Sequence, residues 1–253
     1  MVNLSQNRPL HSEKHSDSFN INSHSKHVTD IELHPYIITR LFAVAIAFLT
    51  IAQIFALFLN FYLGYDYALG FVPAFDFDSE GNFPSLYSAF SLFFCSILLG
   101  VISIHTKKKS KNDYIFWILL AIVFLFLCFD EGVGIHERFQ GPVRQIIGNS
   151  FFKDFDWAVL YILFFGLIGL FFVKFFLKLP NRTKILFIFS AFVFLFGALG
   201  MEAIGTKIYW NKSKIGYAIC YTIEEFFEMV GVLVYIYALL DYLTIEKVSL
   251  KFK

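Results

Sequence analysis

YIFWILLAIVFLFL, residues 114–127, carries no charged side chain, and it is one of six such apolar stretches in the chain. An apolar run of about 20 residues is long enough to cross a hydrocarbon core roughly 30 Å thick. The runs fall at 40–63, 85–105, 114–135, 157–178, 185–205 and 217–242. Composition agrees: 57% of the chain is hydrophobic, 16% is charged and 35 residues are Phe. A soluble domain carries about a quarter charged residues. Removing the runs leaves no soluble domain, and no short repeat is visible. The expectation is an all-α, polytopic bundle of six transmembrane helices. A disordered polar tail is expected over 1–35, the transmembrane domain over 36–245 and a short tail over 246–253.

Lys and Arg accumulate on the cytoplasmic side of short loops. Four of the 21 lie in the N-terminal segment, four follow the second run, four surround the fourth-to-fifth connection and three lie in the C-terminal tail. The opposite face receives six: Arg138, Arg144, Lys153, Lys207, Lys212 and Lys214. The asymmetry predicts cytoplasmic termini in a multi-pass protein, and the bacterial inner membrane is the expected location. Residues 1–35 lack an apolar core of the kind a cleaved signal peptide needs, so the first run is expected to act as its own insertion signal. The net charge of +1 says little about partners; membrane lipids are the expected neighbours, and no nucleic-acid partner is expected. The tail histidines (His11, His15, His24, His27, His34) read as part of a solvated segment. Cys95, Cys128 and Cys220 fall inside runs without a CxxC pair, which argues against zinc-knuckle or disulfide chemistry.

The third run does not end cleanly. It continues as FLCFDEGVGIHERF, residues 126–139, so Asp130, Glu131, His136 and Glu137 arrive before the membrane is left. Counted from the basic end, Asp130, Glu202 and Glu224 lie about seventeen or eighteen residues into their runs, and Glu228 about thirteen. At 100° per residue, Asp130 and Glu137 share a face, Glu131 points away towards Arg138, and Glu224, Glu225 and Glu228 span one arc. Gly132, Gly134, Gly197, Gly200, Gly205 and Gly231 flank these acids, and small residues let membrane helices approach closely. The second run reaches the same layer at Tyr87, Ser88 and Ser91.

A central Asp costs about 2.5–3.5 kcal/mol on insertion scales, so a layer of carboxylates requires shared protons or bound cations. Carboxylates with one imidazole suit Zn, Mn or Fe, and Ca where more oxygens gather. Asp130, His136, Glu224 and Glu228 are the expected ligands of a divalent metal ion. Glu137, Glu202 and Ser88 are the expected catalytic groups. The outer loop FVPAFDFDSEGNFPSLY contains DFDSEG (76–81), which matches the first half of an EF-hand. Position 12 of that loop is Tyr87 instead of the bidentate Glu, so a polar turn is expected, with room to fold as a lid over the acids.

With DE-x4-HE on the third run, a Glu on the fifth and EE-x2-E on the sixth, the chain resembles a set of uncharacterised bacterial six-helix membrane proteins. That resemblance spans runs two to six and includes GNFPSLYS. It implies the fold and no activity. A looser similarity, through Ser88 and Asp130, is to the alkaline-ceramidase-like membrane hydrolases, whose paired HxxxH is absent here. Three functions remain open. One is a metal-dependent membrane-embedded hydrolase acting on a lipid or lipid-like substrate at the outer leaflet. Another is a proton- or cation-coupled transporter. The third is a non-catalytic binding, sensory or assembly protein.

Overall fold

The computed structural model describes residues 30–31, 34–109, 112–135, 138, 156–247 and 250–251. Six helices are long and apolar enough to cross a membrane: Pro35–Tyr62, Phe83–Lys107, Asp113–Val133, Tyr161–Lys178, Asn181–Tyr209 and Lys214–Ile245. They are called the first to sixth spans. The protein is an all-α, multi-pass membrane bundle. Apart from the bundle, Asp30–Ile31 pairs antiparallel with Leu250–Lys251. Residues 1–29, 32 and 33 of the expected tail lie outside the described residues, and Pro35 opens the first helix.

Helix in lipid is dictated by the need to satisfy every backbone N–H and C=O within the segment. That requirement also explains why the helices outrun the apolar stretches. The sixth span has 32 residues and the fifth 29, about 48 and 43 Å at 1.5 Å per residue. The third span is shorter than the sequence pattern suggests. Gly134 adopts φ 64°, a left-handed conformation suited to glycine, and its N–H bonds back to the Asp130 carbonyl at 2.8 Å. The helix therefore stops at Val133. The shared face expected for Asp130 and Glu137 assumes one unbroken helix; Glu137 lies outside the described residues.

The sixth span is central, packing against the first, second and fifth. Its contact with the fifth depends on missing side chains. A Cβ on Gly197 would lie 2.7 Å from the Glu224 carbonyl oxygen, and one on Gly231 would lie 2.8 Å from the Phe194 nitrogen. The Ser190 hydroxyl donates to the Gly231 carbonyl at 2.8 Å across the same seam. Within the fifth span, Phe196–Met201 (FGALGM) forms a π-helical segment directly before Glu202. Such a segment widens the turn and re-aims the side chains C-terminal to it.

At the end that carries the 107–113 and 178–181 turns, termed the basic end, the core is dense. Trp117, Leu99, Ile236, Leu239 and Leu240 are all but inaccessible there, with Phe175 joining from the fourth span. Among the described residues, three ion pairs border this end: Lys109–Glu246 at 2.8 Å, Lys178–Asp113 at 3.1 Å and Arg182–Asp241 at 2.9 Å.

Candidate functional site: an acid-lined cavity

At the opposite end the loop before the second span is built by its own side chains. Asp76 closes the turn, accepting from the Asp78 N–H at 3.2 Å and from the Ser79 hydroxyl at 3.3 Å. Asn82 caps the second span reciprocally with Ser85: the Ser85 N–H donates to the Asn82 side chain at 3.2 Å, and the Asn82 N–H donates to Ser85 Oγ at 3.0 Å. Phe77, 5% exposed, is driven into a small core with Ile46, Leu49 and Met229. The ring thus helps to pin the turn to the first and sixth spans, beside Phe75, which packs edge-on against Phe48 of the first span. Tyr87 donates its hydroxyl to the Phe42 carbonyl at 3.3 Å, across to the first span.

This anchoring brings two loop acids inward. Asp78 accepts a hydrogen bond from the Tyr217 hydroxyl at 2.7 Å. The Glu80 carboxylate lies against Gly134, where any Cβ would collide with it. The helix end at Gly134 is the notch that receives Glu80.

Asp130, 6% exposed, accepts from the Tyr161 hydroxyl at 2.8 Å, bridging the third and fourth spans. A single cavity of about 1160 Å³ is lined by Asp78, Glu80, Asp130, Glu131, Glu202, Glu224, Glu225 and Glu228 together. Helical phase points Glu131 away from the other acids, but the structure has it lining this cavity. The space is walled by several spans, so two adjacent residues 100° apart both face into it. Charge proximity ties the set together. Glu228 interacts electrostatically with Glu225, Glu131, Glu224 and Glu202, while Glu225 does so with Glu224, Glu80 and Asp78. No Lys, Arg or His lies among the described lining residues.

Of the other residues singled out by the sequence, Ser88 is buried and lines the cavity, its carbonyl accepting the Ser91 hydroxyl at 2.8 Å. His136 and Glu137 lie outside the described residues. Among the described residues no three of His, Cys, Asp and Glu form a group fit to hold a metal ion. A site of the expected composition would therefore depend on His136.

Sequence reasoning missed the tyrosines. Tyr161, Tyr209, Tyr217 and Tyr221 all line the acid end. Tyr209, Tyr217 and Tyr221 form an edge-on ladder, with ring centroids 5.3 Å apart at each step. One signal was available: Tyr161 is the only hydroxyl in YILFFGLIGLFF. Asp78 and Glu80 look like part of a polar turn, because nothing local reveals that Phe77 is buried.

Away from the acids the cavity continues as an apolar trench between the third, fourth, fifth and sixth spans, walled by Phe124, Phe172, Phe176, Phe187, Phe194 and Leu195. Residues 39–243 match the family described as Domain of unknown function (DUF8692). The chain belongs to that family. The match takes in the whole acid-lined cavity, so the cavity lies within the domain that defines the family. No curated protein and no solved structure matches the chain.

Proposed function

We propose that this protein is a membrane-embedded hydrolase acting on a lipid or lipid-like substrate. The observation that carries the reading is the continuity of the cavity, an apolar trench that ends in carboxylates. A membrane amphiphile has the same two parts. Its chain replaces bilayer contacts with Phe and Leu side chains, and its head group meets the acids.

Hydrolysis then uses groups already at the head end. Glu202 takes a proton from water as the water oxygen bonds to the electrophilic carbon of the head-group linkage. The bond to the leaving group breaks, and a protonated carboxyl from Glu224 or Glu228 supplies the leaving group with its proton. Ser88 offers a hydroxyl to the linkage, and Tyr161 holds Asp130 in place. A divalent metal on Asp130, His136, Glu224 and Glu228 would activate the water further. Asp130, Glu224 and Glu228 do not by themselves compose that metal site among the described residues.

The charge asymmetry orients the acid end away from the cytoplasm, in the inner membrane of a bacterium. An impermeant thiol reagent should label Asn211→Cys in intact cells and spare Ser110→Cys. Ion transport receives less support, because the trench towards the basic end is lined by Leu120, Phe175, Phe176 and Leu179, with no ionisable group among them. A relay needs such groups.

The activity test is reconstitution with a total membrane lipid extract and mass spectrometry of released head groups and chains. Turnover should fall at least about a hundredfold in Glu202→Gln, the scale of one acid–base group. Wild-type protein that releases nothing from any lipid class would remove the hydrolase reading.

A further inference from the structure

We infer that the amphiphile selected by this cavity carries a net-cationic head, a primary or quaternary ammonium without a neighbouring phosphate. This deepens the reading above and rests on the part of it that places an amphiphile in the trench. Glu224, Glu225 and Glu228 line the cavity side by side on the sixth span and make no hydrogen bond or ion pair to any described residue. Their only described charge partners are other carboxylates and one another. A head group bearing phosphate, sulfate or carboxylate would add a further like charge to that set. A head group bearing only an ammonium relieves it.

The aromatic lining makes the same choice independently. The ladder of Tyr209, Tyr217 and Tyr221 borders the acids, and the faces of aromatic rings attract cations, organic ammonium groups in particular. Rings contribute nothing to a compact metal ion, which wants three or more convergent oxygen or nitrogen ligands. Acids and tyrosines together at the mouth of an apolar trench therefore describe a receptor for a long-chain ammonium.

The test uses the full chain in nanodiscs of zwitterionic lipid and three probes with the same twelve-carbon chain: dodecyltrimethylammonium, dodecyl maltoside and dodecanoate. Thermal midpoint is followed at increasing probe-to-lipid ratio. Dodecyltrimethylammonium should raise it by about 5–10 °C near saturation and act at concentrations about tenfold lower than the maltoside. Dodecanoate should be the weakest. In Glu224→Gln/Glu228→Gln the ammonium preference should shrink to about twofold or less. The maltoside response should persist there, which shows that the variant is folded with its trench intact. Equal responses to the three probes would overturn the cationic inference and leave an amphiphile site standing. No response to any probe would overturn both. The same rise from calcium chloride or tetramethylammonium chloride alone would overturn the inference in favour of a small-cation site.

Discussion

The two ends of the bundle treat carboxylates in opposite ways. At the basic end Asp113, Asp241 and Glu246 are each paired with a Lys or Arg at 2.8–3.1 Å, with the cationic partner well exposed. Arg182 also donates to the Tyr237 hydroxyl at 3.0 Å. These are ordinary interfacial charges, and pairs of this kind are worth about 0–1 kcal/mol each. At the acid end eight carboxylates share one cavity with tyrosines, and no Lys, Arg or His lines it among the described residues. A fold seeking only stability would replace most of those acids with apolar residues. Keeping them crowded is the mark of a site, where stability is given up for chemistry.

That contrast can be broken most severely at the loop. Phe77→Ala empties the pocket between the first and sixth spans and should lower stability by about 3 kcal/mol, read as a fall in thermal midpoint. It should also free Asp78 and Glu80 from the cavity. A midpoint unchanged from wild type would mean that the loop is not anchored by its ring. Next comes the helix seam. Gly197→Ala sets a methyl against backbone, which cannot swing aside, and should cost about 1–3 kcal/mol. Tolerance of Ala with full folded yield would show that the fifth and sixth spans do not meet as closely as described.

Smaller effects test the sign of the contrast. Glu228→Gln removes one charge from the crowd and should raise the midpoint, by the equivalent of about 1 kcal/mol, while reducing turnover. A lower midpoint would indicate that Glu228 is held by a favourable partner. Tyr161→Phe should cost about 1 kcal/mol, because Asp130 loses its neutral donor across the third and fourth spans. Arg182→Ala should cost about 0.5 kcal/mol, the smallest change of the set. If Arg182→Ala instead proves as damaging as Phe77→Ala, the distinction between the two ends fails.

Much of this is legible in the sequence, for reasons that differ between fold and site. The spans are readable because lipid demands long apolar helices, and counting finds them. Their ends are less readable. The fifth and sixth helices extend past the apolar runs, over Asn181–Tyr209 and Lys214–Ile245, since the backbone still needs its hydrogen bonds where side chains turn polar. Rise per residue is enough to bring Asp130, Glu202, Glu224 and Glu228 towards one depth. Other features of the site depend on tertiary structure. Glu131 faces the cavity because several helices enclose it. Asp78 and Glu80 join it because Phe77 finds a core that no local pattern announces. The turn at Gly134 and the π-helical segment at 196–201 break the helical phase on which facing arguments rely. The apolar trench has no sequence signature, since a Phe lining a cavity and a Phe facing lipid read alike.

The trench is therefore where the central claim is most directly tested. A long-chain amphiphile carrying a photoactivated diazirine on its alkyl chain would be incorporated into the bilayer around the protein, irradiated and mapped by peptide mass spectrometry. Adducts should concentrate on trench residues such as Leu195, Ala198 and Tyr235, which line the cavity. Leu167 and Leu170, outward-facing on the fourth span at 68% and 73% exposure, should be labelled less per residue, and excess unlabelled dodecyltrimethylammonium should erase the trench adducts alone. Labelling confined to Leu167, Leu170 and other outward-facing residues would contradict the claim that membrane amphiphiles enter the bundle.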